Sequence, residues 1–224
     1  MHFDCAKLPA YARFVEHVKR TIAESKPGTL IIYENITEQW STGIWDTLEE
    51  DPEHQHIRKT LDTVTSTFAL VVPTDIHDCH HKWFNLSQFE WMQSGTVSRE
   101  DIELSSPGVA TTLNMTSGPY SGSRKEPDLF FRVDGHALPT LAIESGWSET
   151  TTKLYDDMNL LFVGGNGAIR TVFIIKWTKH ADNVHVSGRI EVYGLDRNGM
   201  PVQRGPAQVG IVDQYHIIFK VNLL

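Results

Sequence analysis

The sequence has little cysteine, no long apolar run and no secretory signal. Cys5 and Cys79 are the only cysteines among 224 residues, so we expect no disulfide framework. No apolar run approaches the roughly 20 residues that a membrane-spanning helix needs. The first residues lack the basic region and apolar core of a signal peptide. We therefore expect an intracellular protein that is not embedded in a membrane, with nucleus and cytoplasm both left open.

An excess of basic residues is also missing, since the formal net charge is -8 and the isoelectric point is about 5.7. This balance argues against a protein that coats nucleic acid through bulk electrostatics. It does not exclude an enzyme with a local basic groove. The length and the 40% hydrophobic content allow one large core. We expect a single domain over 1–224, with an N-terminal elaboration over 1–70, a core over 70–180 and a C-terminal β extension over 181–224.

Hydrophobic periodicity gives a coarse order of elements. It predicts helices over 7–25, 37–50, 75–94 and 148–163, the last with Ser148 as N-cap. It predicts strands over 29–33, 66–73, 108–115, 129–133, 140–144, 170–178, 185–195 and 214–222. The strand over 170–178 is nearly all apolar, which is typical of a central, two-sided position. Because a helix connects two of the apolar strands, the order predicts an α/β (α+β) fold with a mixed sheet.

The stretch 125–149 places two acids at the ends of neighbouring strands. Asp128 follows Pro127 at the head of one apolar run, and Glu144 ends the next run, with a turn around Gly135 between them. If the two runs pair side by side, the carboxylates face each other across a gap that a divalent cation can fill. Burial of an unpaired carboxylate at the end of an apolar strand is costly, which favours a functional role for Glu144.

The densest group of metal-ligand residue types lies elsewhere, at the start of the helix predicted over 75–94. Helical spacing puts His77 and His81 four residues apart on one face, an arrangement that suits zinc. No third or fourth ligand stands at a suitable spacing. Histidines that pack near the core are the competing interpretation.

The order of elements, together with two short motifs, resembles a known superfamily. The motifs are Lys125-Glu126-Pro127-Asp128 and Glu144-Ser145-Gly146-Trp147-Ser148-Glu149, and a helix follows the second one. This pattern resembles the PD-(D/E)xK nuclease superfamily, in particular its Uma-type restriction-endonuclease-like group and related fungal proteins. The resemblance covers roughly 70–180. It implies a restriction-endonuclease-like mixed β-sheet core flanked by helices, with an N-terminal helical elaboration and C-terminal antiparallel strands.

The resemblance implies a hydrolase that cleaves phosphodiester bonds with the help of Mg²⁺ or Mn²⁺. Asp128 and Glu144 would hold the metal, and the backbone carbonyl of Ser145 would supply a further oxygen ligand. Some members of the superfamily have an additional acidic ligand upstream. Glu90 is the residue expected for that role, with Glu103 as the alternative.

A lysine normally stands two residues after the second acid, where it orients the attacking water. Gly146 occupies that position here. Some branches supply the lysine from the following helix, which makes Lys153 the best substitute. Lys176 is the second candidate and Lys125 the third.

The partner that the resemblance implies is nucleic acid, in particular DNA, with a homodimer left open. The expected phosphate contacts are Arg124, Lys125, Arg132 and Lys179. The alternative function is a nuclease-fold binding or scaffold protein without catalysis. Gly146 in place of the lysine, the acidic net charge and the lack of an obvious basic patch favour that alternative.

Overall fold

The computed structural model describes residues 1–74, 79–147, 150–180 and 186–212. Its architecture is α+β, with two mixed β-sheets and several helices. In the described ranges, no helix is long and apolar enough to cross a bilayer. The chain forms two compact units: unit 1 comprises Met1–Thr74 and Ala110–Glu126, and unit 2 comprises Asp75–Val109 and Pro127–Leu224. The single domain expected from the sequence stays a prediction.

The strands are distributed along the whole described chain. They are β1 His2–Asp4, β2 Leu30–Glu34, β3 Arg58–Asp62, β4 Thr67–Val71, β5 Ser105–Gly108, β6 Leu113–Asn114, β7 Arg124–Lys125, β8 Leu129–Val133, β9 Leu141–Gly146, β10 Thr171–Lys179, β11 Val186–Leu195, β12 Pro201–Gln203 and β13 Gln208–Val212. The α-helices are α1 Tyr11–Glu24, α2 Glu38–Glu50, α3 Cys79–Gln93, α4 Arg99–Glu103 and α5 Thr151–Gly164.

Unit 1 contains a sheet with the strand order β1-β2-β4-β3-β7-β6. Strands β1 and β2 are parallel, and the other neighbours are antiparallel. Apolar residues at helical spacing on α1 and α2, such as Phe14, Val18, Ile44 and Trp45, share one buried cluster with Phe68 of β4. Burial of this common apolar surface stabilises the two helices, which are too short to be stable alone.

The expected N-terminal helical elaboration therefore describes only part of the structure of residues 1–74. The predicted helices are present as α1 and α2, but four strands of a six-stranded sheet also lie within 1–74. Strand β3 was missed because its residues, Arg58 to Asp62, are mostly polar, yet Lys59, Thr60 and Asp62 are buried. A period-2 pattern of apolar residues is absent there, so hydrophobicity gave no signal.

Unit 2 contains a seven-stranded sheet in the order β12-β11-β10-β9-β8-β5, and β13 also pairs with β11. Strand β10 lies between β9, to which it is parallel, and β11, to which it is antiparallel. This confirms the central position predicted for the most apolar strand. The antiparallel additions after β10 are confirmed for β11, β12 and β13. Parallel neighbours need a crossover connection, and α5 provides it between β9 and β10.

Helices pack against both faces of this second sheet. On one face, Trp83 and Phe84 of α3 contact Phe173 of β10 and Phe131 of β8, with ring centroids 6.0 and 5.9 Å apart. On the other face, Tyr155 of α5 donates a hydrogen bond to a residue of β11. Because side chains alternate along a strand, consecutive residues of β9 and β10 point to different helices.

Two predicted details are wrong, and one lies beyond the described residues. A continuous strand over 108–115 does not form, because β5 ends at Gly108, Ala110 adopts a left-handed φ of 49°, and β6 comprises only two residues. The N-cap of α5 is Thr150, whose hydroxyl accepts a hydrogen bond from Lys153 N, rather than Ser148. The strand expected over 214–222 falls outside the described ranges.

Candidate active site

Asp128 and Glu144 lie opposite each other at the end of the antiparallel β8–β9 pair. Leu129 is the register partner of Ile143, so the same register extended by one residue sets Asp128 against Glu144. Directly opposed residues of an antiparallel pair point to the same face, with Cβ atoms about 4.5–5.5 Å apart. The register therefore places the two acids that the sequence singled out at the same level of neighbouring strands. Both are buried, with 8% of Asp128 and 3% of Glu144 exposed.

The Asp128 carboxylate is held in place by the backbone of the neighbouring strand. Ser145 N donates a hydrogen bond of 2.7 Å to Asp128 Oδ2. The Ser145 hydroxyl in turn accepts a hydrogen bond of 2.7 Å from Trp177 Nε1 on β10. His81 Nε2 of α3 lies 3.2 Å from the Asp128 carbonyl oxygen. Asp128 is thus held through its carboxylate by Ser145 of β9 and through its carbonyl oxygen by His81 of α3.

The side of the sheet that carries the two acids is the side that α5 covers. Ile143 and Phe173 belong to the apolar cluster beneath α3, so alternation turns Glu144 and its register partner Ile174 to the opposite face. Glu191 of β11 is the next register partner in this row. It accepts the hydrogen bond from Tyr155 of α5, which identifies the covering helix.

Lys176 is the lysine that the sheet places in register with Gly146, the position two residues after Glu144. The two residues pair across the parallel β9–β10 ladder, so Lys176 shares the face of Glu144. Lys176 Nζ donates a hydrogen bond of 2.7 Å to Trp147 O, the carbonyl just after β9. This contact directs the ammonium group toward the end of β9, where Glu144 also lies.

Lys153, the first choice from the sequence, has a different partner. Its ammonium group forms an ion pair with Asp157 one helical turn later on α5. Only 16% of the Lys153 side chain and 3% of the Asp157 side chain are exposed, so the pair is largely buried against the sheet. Truncation of Lys153 would leave the Asp157 charge without this partner in a dry environment.

A polar cluster around the buried Glu191 was not foreseen from the sequence. Glu191 accepts hydrogen bonds from the hydroxyl groups of Tyr155 and Tyr193, at 2.8 and 2.9 Å, and forms an ion pair with Arg189. Burial raises the pKa of Glu191, but these hydrogen bonds outweigh it and hold the pKa below its usual value of 4.5. Burial, and the neighbouring Tyr155 and Glu191 side chains, raise the pKa of Tyr193.

The signal for this cluster was present in β11. Arg189, Glu191 and Tyr193 stand at alternate positions of one strand, so all three point to the same face. Polar residues at every second position of β11, the strand next to the central β10, therefore indicate that this face of the sheet is not purely apolar. The other half of the cluster, Tyr155, comes from α5 and could not be assigned without the crossover geometry.

The donor set around Asp128 and Glu144 fits Mg²⁺ or Mn²⁺. It consists of two carboxylates and the backbone carbonyl of Ser145, all oxygen atoms, which hard divalent cations prefer. Within the described ranges, no group of three or more histidine, cysteine or acidic side chains converges. Two carboxylates are sufficient for Mg²⁺, which commonly keeps several waters. The zinc hypothesis rests on His77, which lies outside the described residues.

Glu90 is not brought to this site. It is exposed on α3, whose N-terminal part contacts Asp128 through His81. Nine residues separate His81 from Glu90, which is about 13 Å along a helix axis. Glu103, the alternative, is also exposed and pairs with Arg99 on α4.

The predicted phosphate contacts are scattered. Arg132 of β8 is partly exposed and lies 5.6 Å from the centre of the Phe130 ring. Arg124 belongs to unit 1, where it pairs with Asp46. The side chain of Lys179 lies outside the described part of the structure.

The Lys125-Glu126 half of the first motif is part of the interior of unit 1. Lys125 is 5% exposed and its Nζ donates a hydrogen bond of 3.2 Å to Thr60 Oγ1. Glu126 forms a buried ion pair of 2.8 Å with Lys59 Nζ and accepts a hydrogen bond from Lys59 N. Burial raises the pKa of Glu126, and Lys59 partly offsets that increase. Neither side chain is placed to contact a ligand at the surface.

Comparison with known proteins identifies no relative: the sequence matches no protein family, no curated protein and no solved structure. The chemistry of the Asp128–Glu144 site therefore has to be inferred from its residues and their geometry.

Proposed function

We propose that the protein is a divalent-metal-dependent nuclease with its active site at the end of the β8–β9 pair. The observation that carries the proposal is the register that sets Asp128 opposite Glu144 on one face, with Lys176 on the adjacent strand of that face. Two neighbouring carboxylates repel each other unless a proton or a cation lies between them. A site with two acids, one lysine and a nearby carbonyl is suited to phosphoryl chemistry.

Asp128, Glu144 and the carbonyl oxygen of Ser145 are the groups that would hold the metal. A divalent ion bound to such a set polarises a phosphoryl oxygen and lowers the pKa of a coordinated water. Ser145 N donates a hydrogen bond to Asp128 Oδ2. This bond orients the carboxylate before any ligand arrives, which reduces the entropic cost of binding.

Lys176 takes the role of the lysine that is missing at Gly146. Its ammonium group would offset negative charge that develops on the phosphoryl oxygens in the transition state. The hydrogen bond to Trp147 O fixes the position of this charge. Lys153 is the weaker candidate, because its ammonium group is already held by the buried Asp157 carboxylate.

A second candidate function is a nuclease-fold binding protein without catalysis. The observation that favours it is the hydrogen bond from Ser145 N to Asp128, by which the acid also serves to close the end of the β8–β9 pair. The acidic net charge of -8 favours it as well. In this case the protein binds nucleic acid or a partner but leaves the phosphodiester bonds intact.

The test is cleavage of end-labelled single-stranded, duplex and branched DNA, and of RNA, by the purified full-length chain. The proposal expects cleavage with Mg²⁺ or Mn²⁺ that disappears with EDTA and in Asp128→Asn, Glu144→Gln and Lys176→Met. Glu100→Gln, an exposed acid on α4, is the matched control and should keep full activity.

Metal binding is measured separately by the change in melting temperature with Mn²⁺. The nuclease proposal expects stabilisation of the wild type and the Glu100→Gln control, but not of Asp128→Asn or Glu144→Gln. Metal-independent binding of DNA without cleavage would support the binding protein instead. Absence of both cleavage and a metal-dependent shift would exclude the nuclease.

A further inference from the structure

A large cavity among the described residues lies away from the two acids, at the other end of the second sheet. It has a volume of about 980 Å³ and is formed by the α5–β10 connection, by β11 and by the segment between β12 and β13. The cavity residues Thr171, Val192 and Gly194 belong to the register rows of Thr171 and Phe173. Alternation puts these rows on the face opposite Glu144. The cavity is therefore a separate feature.

The charge of this cavity is positive, although the protein is acidic overall. Arg170 and Arg204 are the only ionisable residues among the described residues that line it. The Arg170 side chain is exposed and forms no ion pair with any described residue. Two guanidinium groups, with no acid among the described residues of the lining, favour an anionic ligand.

Arg204 is held in a defined position by β11. Its Nη2 donates a hydrogen bond of 2.6 Å to Leu195 O. The guanidinium group lies against Gly194, where a Cβ atom would come within 2.8 Å of Arg204 Nε. The lack of a side chain at residue 194 is therefore what allows the guanidinium group to lie along the strand. Because a guanidinium group has five N–H donors, several remain for a ligand.

The nearest acid does not neutralise Arg204 in a salt bridge. Asp196 Oδ1 accepts hydrogen bonds from the backbone N–H groups of Asn198 and Met200, at 2.8 and 2.9 Å. Its carboxylate is thus directed into its own turn, and it does not line the cavity. In the described part of the chain, Arg204 forms no salt bridge.

We propose that this cavity binds the phosphate group of a small phosphorylated molecule of about nucleotide size, with Arg170 and Arg204 as the phosphate ligands. Each guanidinium group can donate two or more hydrogen bonds to phosphate oxygens in a planar, multidentate geometry. The cavity volume lies at the upper end of the range for small-molecule sites, about 300–1,000 Å³. Val192, Leu195 and Pro206 provide apolar surface for the part of the ligand that carries no charge.

Isothermal titration calorimetry of the full-length protein in EDTA tests this site without any contribution from metal or catalysis. The probes are adenosine monophosphate, inorganic phosphate, adenosine and a short single-stranded oligonucleotide. We expect adenosine monophosphate to bind and adenosine to show no binding. Loss of one charged hydrogen-bond donor corresponds to about 10-fold to 100-fold weaker binding, which we expect for Arg170→Gln and Arg204→Gln.

Two control variants separate the site from general effects of charge. Arg197→Gln removes an exposed guanidinium group that does not line the cavity, and it should leave the affinity unchanged. Gly194→Ala keeps every charge but displaces the Arg204 guanidinium group, and it should weaken binding. Val202→Ala, at the register partner of Gly194 on β12, is its matched control and should bind normally.

Several outcomes would overturn the proposal. One is the absence of binding by adenosine monophosphate and phosphate at millimolar concentration. Another is equal affinity of Arg204→Gln and Arg197→Gln. Tight binding of the oligonucleotide alone, lost in the two arginine variants, would assign the cavity to nucleic-acid phosphates rather than to a small molecule. Since no metal is present, none of these results depends on whether the protein cleaves nucleic acid.

Discussion

Gly146 and Lys176 are register partners in the parallel β9–β10 pair, so a residue without a side chain lies beside one with an ammonium group. Under the proposed nuclease function, Lys176 on β10 would supply the ammonium group at the level of the sheet where β9 has Gly146. The pairing also gives a direct test, because the two positions can exchange their side chains.

Lys176→Met should lower kcat by about 100-fold to 1,000-fold if Lys176 stabilises charge in the transition state. Gly146→Lys combined with Lys176→Met should recover part of that loss, because the ammonium group returns to the same region from the neighbouring strand. Steady-state cleavage assays at saturating Mg²⁺ measure this. Lys153→Met, compared at equal folded fraction, is the contrast; a larger loss of kcat there would assign the lysine role to α5.

Asp128→Asn and Asp128→Ala should differ in stability as well as in metal binding. The asparagine side chain can still accept the hydrogen bond from Ser145 N, whereas alanine leaves a buried N–H without its acceptor. We expect Asp128→Ala to be less stable than Asp128→Asn by about 1–3 kcal/mol. Urea unfolding measures the difference. Equal free energies of unfolding would show that the Ser145–Asp128 hydrogen bond contributes little.

Glu191 should make the free energy of unfolding depend on pH in the acid range. Its pKa in the folded protein is lower than its usual value of 4.5, so the folded state favours the charged form. The stabilisation is therefore fully present above pH 4.5 and is lost as the pH falls below that value through the folded-state pKa. Chemical unfolding of the wild type and Glu191→Gln at several pH values measures this. The variant should lose less stability on acidification, and parallel curves would contradict the prediction.

Lys59 and Glu126 should behave as a coupled pair in the interior of unit 1. Both side chains are almost fully buried, with 3% and 4% exposed, and their charged atoms lie 2.8 Å apart. Lys59→Met removes the partner of a buried acid and should destabilise the protein by about 3–5 kcal/mol. Lys59→Met combined with Glu126→Leu should cost less than the sum of the single changes. A double-mutant cycle of unfolding free energies measures the coupling, and additive effects would exclude it.

The parts of the fold that the sequence predicted are those with a clear apolar period. Helices α1, α2 and α5, and strands β8, β9 and β10, bury continuous or regularly spaced apolar residues, and each was predicted within a few positions. The elements that were missed, such as β1, β3 and β7, are short or polar. Their formation depends on pairing with strands that are distant in sequence, which no local pattern records.

The candidate site was predictable only in part, for a related reason. Asp128 and Glu144 could be paired because they end adjacent strands joined by a short connection. The choice between Lys153 and Lys176 required the register of β9 with β10. The crossover segment that contains α5 separates these strands, with 24 residues between Gly146 and Thr171. The burial of Lys125 was not foreseen, because the sequence alone does not show that β7 pairs with the buried β3.

One boundary between the two compact units falls between Glu126 and Pro127. Unit 1 consists of two separate stretches of the chain, Met1–Thr74 and Ala110–Glu126. During synthesis, the first 74 residues thus emerge without β6 and β7, and without the Glu126 carboxylate that pairs with Lys59. A ribosome adding about 5–20 residues per second needs several more seconds to supply them. In that interval, the edge of β3 that will pair with β7 has no partner strand, and Lys59 has no Glu126 carboxylate to pair with. The nascent chain is therefore most exposed to misassembly in the interval before Glu126 leaves the ribosome.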